Sequence, residues 1–306
     1  MYLKHFEFTE FPFTLTSDLK FFCNLESYKD ALNMVMVSLK NGDGLIKITG
    51  EVGVGKTILC RKLLTEVLDT DEYLTIYMAN SPSNAIEIQK IIANKLEVSL
   101  PNYENQYTLL ALIHEKLIIF REHGKRVVVV ADEAHTLSTQ ALEGLRLLTN
   151  LDSQSQKLVT VILFGQPELD KRLRTREMRQ LTQRIVTSYL LPSLKTKEEL
   201  DAYLNFRLTS AGYCHGNSIL FSPEALKLLV QVSRGIPRLI NILCHKALLF
   251  TYGYNQSKVN GKFMKMAIEN TDGVYNSAQK NHIAKIVLIS VPIIIIISII
   301  GHYFFR

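Results

Sequence analysis

Between Leu45 and Leu64 the chain passes from a short apolar run, LIKIT, through the octapeptide GEVGVGKT into a helical pattern carried by Ile58, Leu59, Leu63 and Leu64. A strand, a glycine-rich turn and a helix in that order leave few folds open. The turn pattern G-x-x-x-x-G-K-[ST] is met by Gly50, Gly55, Lys56 and Thr57, with Gly53 as a third glycine inside it. Glycines at these places let successive backbone N–H groups converge on phosphate oxygens without an intervening Cβ. Lys56 is expected to reach the β and γ phosphates of ATP, and the Thr57 hydroxyl to face Mg2+. The helix N-terminus adds a favourable partial charge. A glycine turn that matches by accident is the plainer alternative, and the flanking strand and helix speak against it.

Further strand-like runs follow at Tyr73 to Met78, Arg126 to Ala131, Leu158 to Phe164 and Ile185 to Leu191, with helical patterns between them at Ala85 to Leu96 and Leu109 to His123. Continuous apolar strands alternating with helices predict an α/β fold, a parallel sheet covered on both faces. After Pro192 the pattern becomes wholly helical: Lys197 to Ser210, Ser222 to Arg234 and Pro237 to Tyr252 read as amphipathic helices, and Ser222-Pro223-Glu224 is a capped helix start. The expected domains are a nucleotide-binding domain over 1–192, a helical domain over 193–270 and a polar linker over 271–285.

A second element implies chemistry beyond binding. Residues 127–135 read VVVVADEAH, an apolar strand that ends in two carboxylates. Asp132 is expected to hold magnesium and Glu133 to polarise an attacking water. Gln166, in FGQPEL, follows the next strand and is expected between the glycine loop and the acidic strand, in the crevice at the carboxyl edge of the sheet. Arg238, in GIPRLIN, opens a helix of the second domain. The segment Asp170 to Ile185 carries six Arg or Lys, lacks the aromatics of a nucleic-acid stacking platform, and reads mainly as a solvated helix face. Within it Arg184 stands just before the last strand, where it is expected to reach the nucleotide of a neighbouring subunit.

Composition sets the remaining bounds. Of 306 residues, 47% are hydrophobic and 21% charged, as in a folded protein long enough for about two domains. The four cysteines form no CxxC pair, which argues against a zinc site or a disulfide framework and fits a reduced compartment. A net charge of +6 permits contact with anionic partners without naming one. Residues 286–305 read IVLISVPIIIIISIIGHYFF, without an Asp, Glu, Lys or Arg. At 1.5 Å per residue this is about 30 Å of helix, so a single transmembrane helix is expected there. Lys280 and Lys285 precede it and only Arg306 follows, which favours a cytoplasmic ATPase domain at the inner membrane.

GEVGVGKT, VVVVADEAH, LFGQPEL, LTQRI and GIPRLIN, in this order, resemble the AAA+ ATPases of the ExeA/GspA group, which includes biogenesis proteins of the MSHA pilus. The resemblance covers about residues 1–270 and includes the aromatic-rich opening MYLKHFEFTEFPF, although Glu7-Phe8 stands where Gly-Leu is expected. It implies a P-loop AAA+ sheet sandwich, a helical lid over 193–270, and an ATPase requiring ATP and Mg2+. By the same resemblance Gln166 takes the first sensor position, Arg184 the arginine finger and Arg238 the second sensor, and the segment around Phe11 to Phe13 lies near the adenine. Expected partners are copies of the chain itself and inner-membrane proteins of an MSHA type IV pilus or a type II secretion apparatus, with nucleic acid not expected. Longer members of the group carry a peptidoglycan-binding domain after their membrane span, and none is expected within these 306 residues. The alternative is a DNA-binding transposition or targeting ATPase, since related AAA+ proteins bind DNA and the chain is basic.

Overall fold

A computed structural model of the chain describes residues 2–79, 82–98, 106–152, 157–215 and 220–271. The expected transmembrane helix over 286–305, and all but the first residue of the expected linker over 271–285, lie outside the described residues. Among the described residues no helix is long and apolar enough to cross a membrane. The chain divides into two compact units, one of residues 16–195 and one that joins residues 1–15 to those from 196 onward.

The first unit is built on five strands, β1 (Leu45–Thr49), β2 (Tyr73–Met78), β3 (Arg126–Ala131), β4 (Val159–Gly165) and β5 (Ile185–Leu190), in the order β2-β3-β4-β1-β5. Every pairing is parallel, with Ile48 of β1 opposite Phe164 of β4 and Tyr189 of β5. The valine run of β3 and the whole of β4 are buried because helices cover both faces of the central strands. Before and between the strands lie α1 (Glu26–Asn41), α2 (Lys56–Lys62), α3 (Ala85–Lys95), α4 (Gln106–Glu122), α5 (Thr139–Leu148), α6 (Pro167–Leu173) and α7 (Arg179–Thr182). Asn84 caps α3 and Ser138 caps α5, each accepting from a backbone N–H in the first turn.

Ile76, Val129 and Leu163 form one layer of the core with Ile88 and Ile92 of α3 and Leu145 of α5, all of them fully buried. Each such side chain contributes about 1.5–3 kcal/mol by leaving water. Strand β5 departs from the expected covering on both faces. Its Ile185, Thr187 and Tyr189 turn inward, where Thr187 and Tyr189 bond Ser38 and Ser27 of α1, while Val186 and Leu190 are 65% and 66% exposed on the other face.

The second unit contains α8 (Lys197–Ser210), α9 (Pro223–Ser233), α10 (Pro237–Gly253) and α11 (Gly261–Glu269). A full capping box between Thr196 and Glu199 starts α8, and Pro237 at the first position starts α10. The opening segment, read from sequence as part of the nucleotide-binding domain, packs with these helices. Buried Arg207 of α8 donates to the carbonyls of Pro12 and Thr14 at 2.6 and 3.0 Å, and Asn241 of α10 donates to Thr14 as well. Phe13 meets Phe221 edge to face, and Tyr2 is bonded to His245. Those carbonyls have no strand or helix partner of their own, and a buried guanidinium supplies several donors at once.

A candidate phosphate and water site at the carboxyl edge of the sheet

Parallel strands bring their carboxyl ends to one edge, so the turns after β1, β3 and β4 meet there. Because β4 stands between β3 and β1, residues far apart in sequence become neighbours.

The turn after β1 is the octapeptide. Its backbone is held by Gly50 N–H donating to the Gly165 carbonyl at 3.2 Å and by the buried Tyr28 hydroxyl of α1 donating to the Val54 carbonyl at 2.6 Å. Gly55, with φ of +101°, is in a conformation that side-chain-bearing residues rarely adopt. Lys56 begins α2 nearly buried, and its ammonium donates to the carbonyls of Gly50 and Glu51 at 2.7 and 2.9 Å. Burial lowers the Lys56 pKa below its ordinary value, and the carboxylates of Glu133 and Asp132 oppose that shift. The cation is therefore folded back over the curve of its own loop, the place where phosphate oxygens are bound in loops of this sequence.

Asp132 is buried, 8% exposed, at the end of β3. Burial raises its carboxyl pKa above the ordinary value. The Glu133 N–H, which donates to it at 2.9 Å, and a hydrogen bond from the Thr57 side chain both act in the other direction. Thr57 and Asp132 thus present two adjacent hard oxygens, a donor set suited to magnesium. The positive-φ glycine cradle and this oxygen pair fit a magnesium nucleotide.

Glu133 sits at φ of +51° and ψ of +37°, in the left-handed region although it carries a side chain. Its backbone carbonyl accepts from the Thr136 N–H and hydroxyl at 2.9 and 2.7 Å. The carboxylate is 44% exposed, and its Oε2 accepts from the Gln166 amide at 3.3 Å. His135 Nδ1 lies 3.3 Å from the same oxygen without completing a hydrogen bond. A carboxylate open to solvent, steered by an amide and next to a phosphate cradle is arranged to take a proton from water.

Lys56, Thr57, Asp132, Glu133 and Gln166 therefore converge. Arg184 does not join them: it is exposed before Ile185, which pairs with Leu45 at the amino edge of the sheet. Six residues of β5, at roughly 3.3 Å each, separate that edge from the loop turns. Arg238 stands exposed in the first turn of α10, in the helical unit.

Three residues at the site carried no role in the sequence reading. Tyr28 lies 26 positions before Val54 with no local signal. His135 was only part of the acidic motif. Arg172 was one of six basic residues in a run that is otherwise solvated, with Arg174, Arg176 and Arg179 exposed as expected. Its guanidinium instead donates to the carbonyls of His135 and Leu137 at 2.8 and 2.6 Å.

Residues 39–173 match the family model described as the AAA domain. General secretion pathway protein A of Aeromonas hydrophila is 36% identical over 274 residues, covering 90% of this chain and 49% of that protein. The chain thus spans about half the length of this curated relative. Among solved structures, the ORC2 protein of Aeropyrum pernix has a TM-score of 0.58 at 16% identity, over 82% of this chain and 71% of that one. Cdc6p of Pyrobaculum aerophilum reaches 0.55 at 18% identity, over 78% and 67% respectively. At these identities the structures speak for the fold alone, while the AAA domain match, the secretion-pathway relative and the residues at the sheet edge speak for the family. The chain carries an AAA domain and is similar along 90% of its length to a secretion-pathway protein A, in keeping with the AAA+ ATPases of the ExeA/GspA type that its motifs resemble.

Proposed function

We propose that this ATPase is anchored in the inner membrane and uses ATP binding and hydrolysis to drive an oligomer that supports assembly of a type II secretion apparatus or an MSHA type IV pilus. One observation carries the catalytic part: the Glu133 carboxylate, held by Gln166, stands beside the Lys56 loop and the Thr57–Asp132 pair. Lys56 would leave the Gly50 and Glu51 carbonyls for the β and γ phosphates. Thr57 and Asp132 would hold magnesium, which when bound offsets phosphate charge. Glu133 would accept the proton of the attacking water, and Gln166 would orient that carboxylate as first sensor. Arg238 in the helical lid is the proposed second sensor, and Arg184 the finger that completes a neighbour's site. Gly50, Gly53 and Gly55 would cradle the phosphates.

The cellular part rests on the name of the Aeromonas relative and on the apolar segment 286–305, preceded by Lys280 and Lys285. Glu133→Gln tests the chemistry: ATP stays bound while hydrolysis slows by about 10² or more. Wild-type turnover in that variant would move the base elsewhere. Deleting 281–306 tests the anchor, with the truncated protein expected to bind ATP and to leave the membrane fraction. Full-length protein recovered without detergent in the soluble fraction would favour the DNA-targeting alternative.

A further inference from the structure

Helix α6 touches the turn that carries Glu133 at both of its ends. At its start the N-capping Gln166 donates to Glu133 Oε2, and at its end Arg172 spans the carbonyls of His135 and Leu137. The helix itself is firmly seated. Leu169 and Leu173 are buried, Asp170 is ion-paired with Lys47 of β1, and a Cβ on Gly165 would stand 2.6 Å from the Leu169 side chain. Helix and strand end therefore approach as closely as glycine permits.

The turn, by contrast, is locally unfavourable. A glutamate in the left-handed region is strained and persists only where its surroundings over-determine it. The bonds that Glu133 makes with Asp132 and Thr136 are internal to the turn and would survive a rigid displacement of it. Arg172 acts from outside, its Nη1 alone donating to two carbonyls two residues apart.

We infer that Arg172 is a positioning residue for hydrolysis, which holds the strained turn so that the Glu133 carboxylate stays beside Gln166. The inference rests on the reading of Glu133 as the base. Arg172 touches no reacting atom, so its removal leaves the nucleotide-binding loop intact but frees the turn to relax.

The test is single-turnover ATP hydrolysis and ATP titration on the full-length protein. Arg172→Ala is expected to bind ATP within about twofold of wild type and to hydrolyse it about 10- to 100-fold more slowly, the scale of a misplacement near 1 Å. Arg172→Lys, which keeps a charged multi-proton donor on a shorter side chain, falls between the two and serves if the alanine variant does not fold. In a Glu133→Gln background, Arg172→Ala should cost nothing further, since the group it positions is already gone. Unchanged hydrolysis in both Arg172 variants would overturn the inference, and so would an undiminished loss in the double variant. Equal losses of ATP affinity and rate would assign Arg172 to general folding instead. Wild-type turnover in Glu133→Gln alone would bring down the assignment of the base as well, an outcome separate from these.

Discussion

The Tyr28 hydroxyl donates to the Val54 carbonyl at 2.6 Å, and in doing so it occupies the space that a Cβ on Gly55 would need. A helix outside the glycine loop thereby fixes the shape of the loop.

Gly55→Ala should weaken ATP binding by at least about tenfold, because the new methyl overlaps Tyr28 and the backbone at φ of +101° becomes strained by on the order of 1–3 kcal/mol. Tyr28→Phe leaves the buried Val54 carbonyl without this donor, a cost of about 1–3 kcal/mol. It should lower Tm by a few degrees and ATP affinity less than the Gly55 change does. Isothermal titration and thermal melts read both, and wild-type affinity in Gly55→Ala would contradict the role given to the contact.

Asp132 carries a pH signature. Burial raises its carboxyl pKa above the ordinary 3.8, so between 3.8 and the raised value the folded chain holds a proton that the unfolded chain has lost. Ionising this group therefore costs stability as pH rises through that window, and the full cost is present at neutral pH. Asp132→Asn should melt above wild type at pH 7, the advantage should shrink as pH falls towards 3.8, and magnesium-dependent turnover should be lost. A lower melting temperature at pH 7 would mean that the bonds from Thr57 and the Glu133 N–H outweigh the burial.

Arg184 is exposed at the amino edge of the sheet, remote from the turns of its own site, so a catalytic part for it requires a second copy. Arg184→Ala should bind ATP normally yet lose turnover by about 10³-fold, the scale of an arginine finger. Mixed with the Glu133→Gln variant it should regain part of the rate, since each protein supplies what the other lacks. A mixture as inactive as its components at every ratio would place Arg184 outside the chemistry.

By itself the sequence determined the strands, the phosphate loop and the acidic pair. The runs at 45–49, 73–78 and 126–131 are the observed strands residue for residue, because short runs dominated by β-branched, aromatic and apolar residues between glycine or polar breaks suit an extended strand. The loop and the pair were legible because phosphate binding and proton transfer need particular residue types at short, fixed spacing. The full strand order was not legible, since apolar runs record which strands are buried and not which are neighbours, although Gln166 was expected between the glycine loop and the acidic strand. That order, with β4 between β3 and β1, is what sets Gln166 beside Glu133. Tertiary structure alone also decided that Tyr28 shapes the loop, that Arg172 leaves its solvated basic run for two carbonyls, and that residues 1–15 join the helices. Each depends on contacts between residues from 26 to 243 positions apart, for which local sequence holds no signal.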